Sequence, residues 1–193
     1  DTEIVLIAAG RDASALFFAD CTLRSDRCFC LATARVNGLA LKYMEASFRS
    51  DREVVFAAVC SKPTSLQYAD PTLKSEQELV LAAASRCDLA LRYADMTLMS
   101  DKAFIRKALC QGWRAISYAD ASLRSDEDVV YAAVEQNMEA LRYVGPDLSR
   151  SVVYRLVSRK WQAFKFLQRT RFRRDKDIAL AAVRKKGLAL MHA

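Results

Sequence analysis

Apolar and polar residues alternate along this chain in blocks that return every 25 residues. An aromatic stands at Phe18, Tyr43, Tyr68, Tyr93, Tyr118 and Tyr143, and a large apolar residue at Leu23, Phe48, Leu73, Leu98, Leu123 and Leu148. Ser25, Ser50, Ser75, Ser100 and Ser125 keep the same spacing, each followed by an acid: Asp26, Asp51, Glu76, Asp101 and Asp126. A fixed period in this range means one supersecondary unit stacked on copies of itself.

Residues 50–74 show what one unit contains. Val54, Val55, Ala57, Ala58 and Val59 supply an apolar face at helical spacing. The small alanines return at Ala82 and Ala83 and at Ala132 and Ala133, which lets neighbouring helices approach closely. Ser50-x-x-Glu53 reads as a capping box, repeated at Ser75-x-x-Glu78 and approximated at Ser125-x-x-Asp128. Lys62-Pro63 ends the helix, as Asn37-Gly38 does one unit earlier. A second, shorter helix carries Leu66, Tyr68 and Ala69. Asp70-Pro71-Thr72 then reads as an N-cap with proline at the first helical position, starting one more turn. Asp20, Glu45, Asp95 and Asp120 fill the same slot, and Gly145-Pro146 does so later. The predicted fold is all-α, an α-solenoid of about seven to eight helix–short helix–turn repeats. At roughly 8–10 Å per helix layer, it forms a rod on the order of 60–75 Å long. The predicted organisation is one array over residues 1–193, regular through 147 and degenerate from 148.

Composition narrows the chemistry. With 52% hydrophobic and 27% charged residues, the 193-residue chain can build a core. Its apolar runs, such as Val54 to Cys60, fall short of the roughly 20 residues a membrane helix needs. No signal peptide is recognisable, and the start at Asp1 suggests a processed form or a piece of a longer protein. The six cysteines read as free thiols in a reducing compartment, packed as small apolar residues. Cys28-x-Cys30 is too close and too short of ligands for zinc, and His192 is far away in sequence. No metal site or cofactor is expected. Tyr-Ala-Asp at 68–70, 93–95 and 118–120 could suggest acid–base pairs. A catalytic set is normally unique, however, whereas these residues recur; tyrosines in the inter-repeat core and aspartates capping turns explain them.

The run Ser50 to Val59 reads Ser-Asp-x-Glu-Val-Val-x-Ala-Ala-Val, Ala90 to Ala94 reads Ala-Leu-x-Tyr-Ala, and Leu123 to Asp126 reads Leu-Arg-Ser-Asp. Together they resemble the "domain of unknown function 4116" family, whose unit spans about two of these periods. The resemblance runs from about Glu3 to Met191. It implies tandem helical repeats and brings no catalytic or binding residues with it. The family's occurrence in protists, unicellular algae and some bacteria suits an organellar assembly, mitochondrial or photosynthetic.

The departures from the period are where a specific function is expected. Leu148 to Tyr154 is two residues shorter than Leu123 to Tyr131, and the acidic cap is lost; one residue returns between Phe166 and Asp175. A local kink or changed twist is expected near 148–152. Residues 142–186 carry 14 Lys/Arg against 3 Asp/Glu, a balance of +11 in a chain of +7, leaving the remainder at −4. Arg169, Arg171, Arg173, Arg174, Arg184, Lys185 and Lys186 form the candidate basic surface, suited to an acidic protein face, anionic lipid or phosphate backbone. A solvated end region explains the same charge. A second exception is the corner between the two helices, held by Gly38, Pro63, Asp88, Trp113, Met138, Trp161 and Gly187. It varies as a solvent-facing position would. Trp113, Met138 and Trp161 either line a docking edge or fold over their own repeats as local core.

The function expected from these observations is a non-enzymatic scaffold or protein–protein interaction module, such as an accessory subunit of a larger organellar or cytoplasmic complex. The alternative is a nucleic-acid binder using the basic end, with Trp161, Phe164 and Phe172 among its cations.

Overall fold

Ten residues of each period form an α-helix. A computed structural model describes residues 2–145, 147–167 and 171–192, without the side chains of Arg171, Leu188, Leu190 and His192. Its ten-residue helices are Thr2–Arg11, Arg27–Val36, Arg52–Ser61, Gln77–Arg86, Lys102–Gln111, Glu127–Gln136, Arg150–Arg159 and Lys176–Lys185. No strand occurs among the described residues, and the chain is an all-α repeat protein. Helix starts are 25 residues apart up to Glu127, then 23 and 26, as the lost pair and the returning residue require.

The helix start differs from the expected capping box. Ser25, Ser50 and Ser75 have helical dihedrals (φ −96°, −100° and −94°) and close the preceding four-residue turn. The acid that follows is extended, as an N-cap must be: Asp51 has φ −77° and ψ 112°, and its carboxylate accepts from the Glu53 and Val54 amides at 2.9 and 3.3 Å. Asp26, Asp101, Asp126 and Asp175 cap their helices in the same way. The Ser50 hydroxyl donates instead to the Ala46 carbonyl at 2.9 Å. Where the acid is missing, Ser149 takes over as the cap and accepts from Val152 N–H at 3.4 Å.

The second, shorter helix is a 3₁₀ segment, as in Gly38–Tyr43, Pro63–Tyr68 and Asp88–Tyr93. Its tight turn buries Leu41, Leu66 and Leu91 completely or nearly so and tilts the aromatic at its end outward. Tyr43, Tyr68, Tyr93 and Tyr118 are therefore half-buried rather than core, while Phe18 and Tyr143 are exposed. The following turn has the expected form. Asp70 caps Pro71–Lys74 by accepting from the Thr72 amide and hydroxyl at 3.0 and 2.8 Å, and Asp20, Asp95 and Asp120 do the same with Thr22, Thr97 and Ser122. Glu45, one methylene longer, makes no such bond.

The chain divides into two compact units, Asp1–Leu98 and Met99–Ala193. In the first, each ten-residue helix packs on the next, and the 3₁₀ segments Ala13–Phe18, Gly38–Tyr43, Pro63–Tyr68 and Asp88–Tyr93 form a second layer in the same order. The core lies between the layers, with Val54, Val55, Ala58 and Val59 facing Leu41 and Leu66, all at 0% exposure. In the second unit, Lys102–Gln111 packs on Glu127–Gln136, Arg150–Arg159 packs on Lys176–Lys185, and Ala163–Phe166 lies against Met138–Arg142. Backbone bonds stitch consecutive repeats: Asp70 N–H donates to Arg49 O at 2.9 Å, Asp95 N–H to Lys74 O at 3.0 Å, Asp120 N–H to Met99 O at 2.9 Å and Gly145 N–H to Arg124 O at 3.0 Å.

The corner slot is more enclosed than a solvent-facing position. Gly38 is buried, and a Cβ there would sit 2.1 Å from the Ala58 carbonyl oxygen of the next repeat. Pro63, Asp88, Trp113, Met138 and Trp161 are half-buried, and only Gly187 is exposed.

Two stability measurements check these assignments. Asp51→Ala is expected to cost about 1 kcal/mol in urea unfolding, the usual loss of an N-cap, whereas Ser50→Ala stays within about 0.5 kcal/mol. Gly38→Ala is expected to destabilise by about 1–3 kcal/mol through its backbone clash. Gly112→Ala, with nothing within 4 Å of its added carbon, is expected to be neutral or stabilising.

Candidate functional site

A charged ladder runs from repeat to repeat at the helix starts. The first residue of one helix is basic and reaches the capping acid and the second helical residue of the next. Arg27 pairs with Asp51 and Glu53 at 2.6 and 2.8 Å, and Arg52 with Glu76 and Glu78 at 2.9 and 3.0 Å. Lys102 pairs with Asp126 and Asp128 at 2.9 and 2.7 Å, and Arg150 with Asp175 and Asp177 at 2.5 and 2.6 Å. The pairs are solvent-facing, so each adds little to stability by itself; their periodic placement instead specifies which helix meets which. The Arg27 hydrogen bond holds Asp51 below its ordinary pKa, and Arg150 does the same for Asp175. For Asp126, burial opposes the shift, and Lys102 with the Val129 and Asp128 amides carries it downward. This ladder went unrecognised in the sequence reading. Its signal is a base followed 24 and 26 residues later by two acids, or 25 and 27 residues later at Arg150.

At the out-of-register junction the ladder reverses sign. Glu127 stands in the basic slot, and its partner is Arg155 of the following helix. Arg155 and Arg159 also lie over the Tyr131 ring, 5.8 and 5.9 Å from its centroid. In place of the lost acidic cap, the partner of the preceding helix is a base inside the next one, Arg155. Beside the packed helices Arg150–Arg159 and Lys176–Lys185 lies an open surface groove of about 650 Å³, with Tyr154, Arg155, Leu180 and Arg184 among its walls.

Of the candidate basic residues, Arg169 lies outside the described residues, as does the side chain of Arg171. Arg173 and Arg174 are exposed on the Arg171–Arg174 segment. Arg184 and Lys185 are exposed in the last turn of the final helix, where cations complement the helix dipole. Lys186 is exposed and stands 5.6 Å from the centroid of the Trp161 ring, so the structure brings together one member of each candidate set. The Trp113 ring is tilted by 45° against Tyr143 of the next repeat, with centroids 6.2 Å apart, and the Arg114 guanidinium lies 4.9 Å from the Trp113 ring centroid. The Met138–Arg142 segment packs against Trp113–Ser117. All three corner residues keep part of their surface exposed while touching their own unit.

The recurrent aspartates are poorly suited to act as bases. Asp70 is held below its ordinary pKa by the Thr72 amide and hydroxyl, Asp95 by the Thr97 hydroxyl and amide, and Asp120 by the Ser122 amide and hydroxyl. A carboxylate stabilised as an anion is a weak proton acceptor. All six cysteines are unpaired. Burial pushes the Cys30 thiol up to about 11, which removes its nucleophilic form at neutral pH. No helix among the described residues is long and apolar enough to cross a membrane.

A family model described as "Domain of unknown function (DUF4116)" matches residues 1–49, 34–74, 76–124 and 101–149. The matches overlap in tandem and stop at the out-of-register junction, short of the Met191 reached by the resemblance read from the motifs. No curated protein and no solved structure matches the chain.

The ladder has a pH signature. Asp51 and Asp175 titrate lower when folded than their ordinary 3.8, so their stabilisation is complete above that value and is lost as pH falls through the depressed folded pKa. The urea midpoint is expected to decline as pH is lowered from 4 towards 2. Arg27→Met together with Arg150→Met is expected to flatten that decline; an unchanged slope sinks the assignment.

Proposed function

The chain belongs to the family described as "Domain of unknown function (DUF4116)", and on that footing we propose that it is a non-enzymatic helical-repeat scaffold, an interaction module within a larger protein assembly. The observation that carries this reading is the set of cations left over at the basic end. Arg150 and Arg155 are engaged by carboxylates of neighbouring helices. Arg173, Arg174, Arg184 and Lys185 are exposed and have no partner among the described residues. Exposed like charges repel one another, and their concentration on one segment is relieved by an acidic partner. An acidic protein surface fits this chemistry, with the half-exposed Trp113, Met138 and Trp161 as apolar anchors. An accessory subunit of an organellar complex is the setting in which such an arm would serve.

The test is retention of partners from native extract by the intact chain and by Arg173→Glu/Arg174→Glu/Arg184→Glu/Lys185→Glu. The variant is expected to lose at least about tenfold in retention, with its melting temperature held within about 2 °C because the four side chains are solvent-facing. Undiminished retention rejects the basic surface. Binding to RNA or DNA that falls steeply with salt replaces the proposal with nucleic-acid recognition, and binding to phosphatidylserine vesicles replaces it with a membrane surface. Trp113→Ala/Trp161→Ala is expected to weaken retention; a lowered melting temperature with intact retention removes both tryptophans from the interface.

A further inference from the structure

At the helix starts, Arg27, Arg52, Lys102 and Arg150 are answered by carboxylates. Two bases on the other layer of the unit Met99–Ala193 are not. Each stands directly before the aromatic of its repeat, Arg142 before Tyr143 and Lys165 before Phe166. Both are exposed, and neither has a carboxylate partner among the described residues. The Arg142 guanidinium lies instead over the Phe166 ring of the next repeat, 5.5 Å from its centroid. A ring holds a cation through its quadrupole and leaves the charge unneutralised. Arg142 is therefore positioned for an anion that the fold itself does not supply.

The surface around these cations is aromatic and crosses consecutive repeats. Trp113–Ser117 packs on Met138–Arg142, which packs on Ala163–Phe166. The Trp113 and Tyr143 rings lie 6.2 Å apart, and Phe166 continues the row. Tyr143 is 39% exposed, and Trp113 and Phe166 are half-buried. Each of the three segments has a repeat before and after it in the chain, so this is the surface of inner repeats. Charge agrees in sign. Lys160, Lys165, Arg169, Arg171, Arg173 and Arg174 give residues 160–174 six bases and no acid. The three packed segments carry a single acid, Glu139, which is half-buried.

We infer that this face binds an extended acidic peptide of a partner protein, in polyproline II form, with carboxylates three residues apart. The inference rests on the acidic partner proposed above and specifies the form of its contact. Spacing selects that form. Packed helical segments lie roughly 8–10 Å apart. A polyproline II chain rises about 3.1 Å per residue with three residues per turn, so every third side chain returns to the same side after roughly 9 Å. One carboxylate then meets Arg142 and the next meets Lys165, while the residues between them rest on Tyr143 and Phe166, as such chains do on aromatic surfaces.

Fluorescence anisotropy with the intact chain and a labelled Glu-Pro-Pro repeat peptide tests this. Saturable binding that weakens with salt is expected. A peptide of the same composition with its glutamates gathered at one end is expected to bind at least about tenfold more weakly. Arg142→Gln/Lys165→Gln is expected to lose at least about tenfold as well, with its melting temperature held within about 2 °C because both side chains are exposed. Lys165→Glu alone, which leaves the Arg142–Phe166 contact in place, is expected to weaken binding in the same direction. Equal affinity for the two peptides reduces the contact to bulk charge and overturns the inference. So does undiminished binding by Arg142→Gln/Lys165→Gln, or tighter binding of single-stranded RNA of equal charge. Peptide binding lost only in Arg173→Glu/Arg174→Glu/Arg184→Glu/Lys185→Glu rejects this face and leaves the acidic-partner reading standing. Absence of peptide binding while native partners are still retained through the basic surface does the same; loss of both rejects both.

Discussion

At the helix starts of Asp51, Asp126 and Asp175, one carboxylate answers two demands. Four N–H groups at a helix N-terminus lack partners within the helix, and the capping aspartate takes one or two of them. The same carboxylate receives the base at the head of the preceding helix, as Asp51 does from Arg27 and Asp175 from Arg150. Capping fixes where a helix begins; the ion pair fixes which helix lies beside it. The pair tolerates a one-residue change, since Arg150 reaches Asp175 across 25 positions where Arg27 reaches Asp51 across 24, so it supports a spacing that the apolar core sets.

The junction after Gly145 shows what happens when that carboxylate is missing. Ser149 still caps the helix, so local structure survives, but a hydroxyl cannot hold an arginine. The glutamate of the preceding helix, Glu127, reaches forward to Arg155 instead. Cations that the regular array would spend on its own acids accumulate beyond this point. The excess positive charge and the break in register coincide in this stretch, where one acidic cap is lost and basic residues are concentrated. The family match ends at the same place, and the proposed interaction surface begins there.

Much of the fold was legible in the chain. The apolar blocks marked the recurring helices, Asn37-Gly38 and Lys62-Pro63 marked two of their ends, and Asp70-Pro71-Thr72 announced its turn. Three features were misread for local reasons. A serine beside an aspartate offers two candidate caps, and only the backbone dihedrals, helical at Ser50 and extended at Asp51, decide between them. A short apolar segment such as Pro63–Tyr68 suits α and 3₁₀ geometry alike, and the tighter turn turns its tyrosine outward. The corner slot varies as a surface position does, yet Gly38 is held against a backbone carbonyl that lies 20 residues ahead in the chain.

The sequence by itself determined the period, the all-α character, the number and placement of the helices and the concentration of charge near the end. These follow from local propensity and periodic patterning, which act within one turn or one repeat. Only the tertiary structure decided which carboxylates meet which bases and which cations are left without partners among the described residues. Those properties depend on residues 24 to 28 positions apart being brought side by side, and such distances in sequence become contacts only when one repeat is laid against the next.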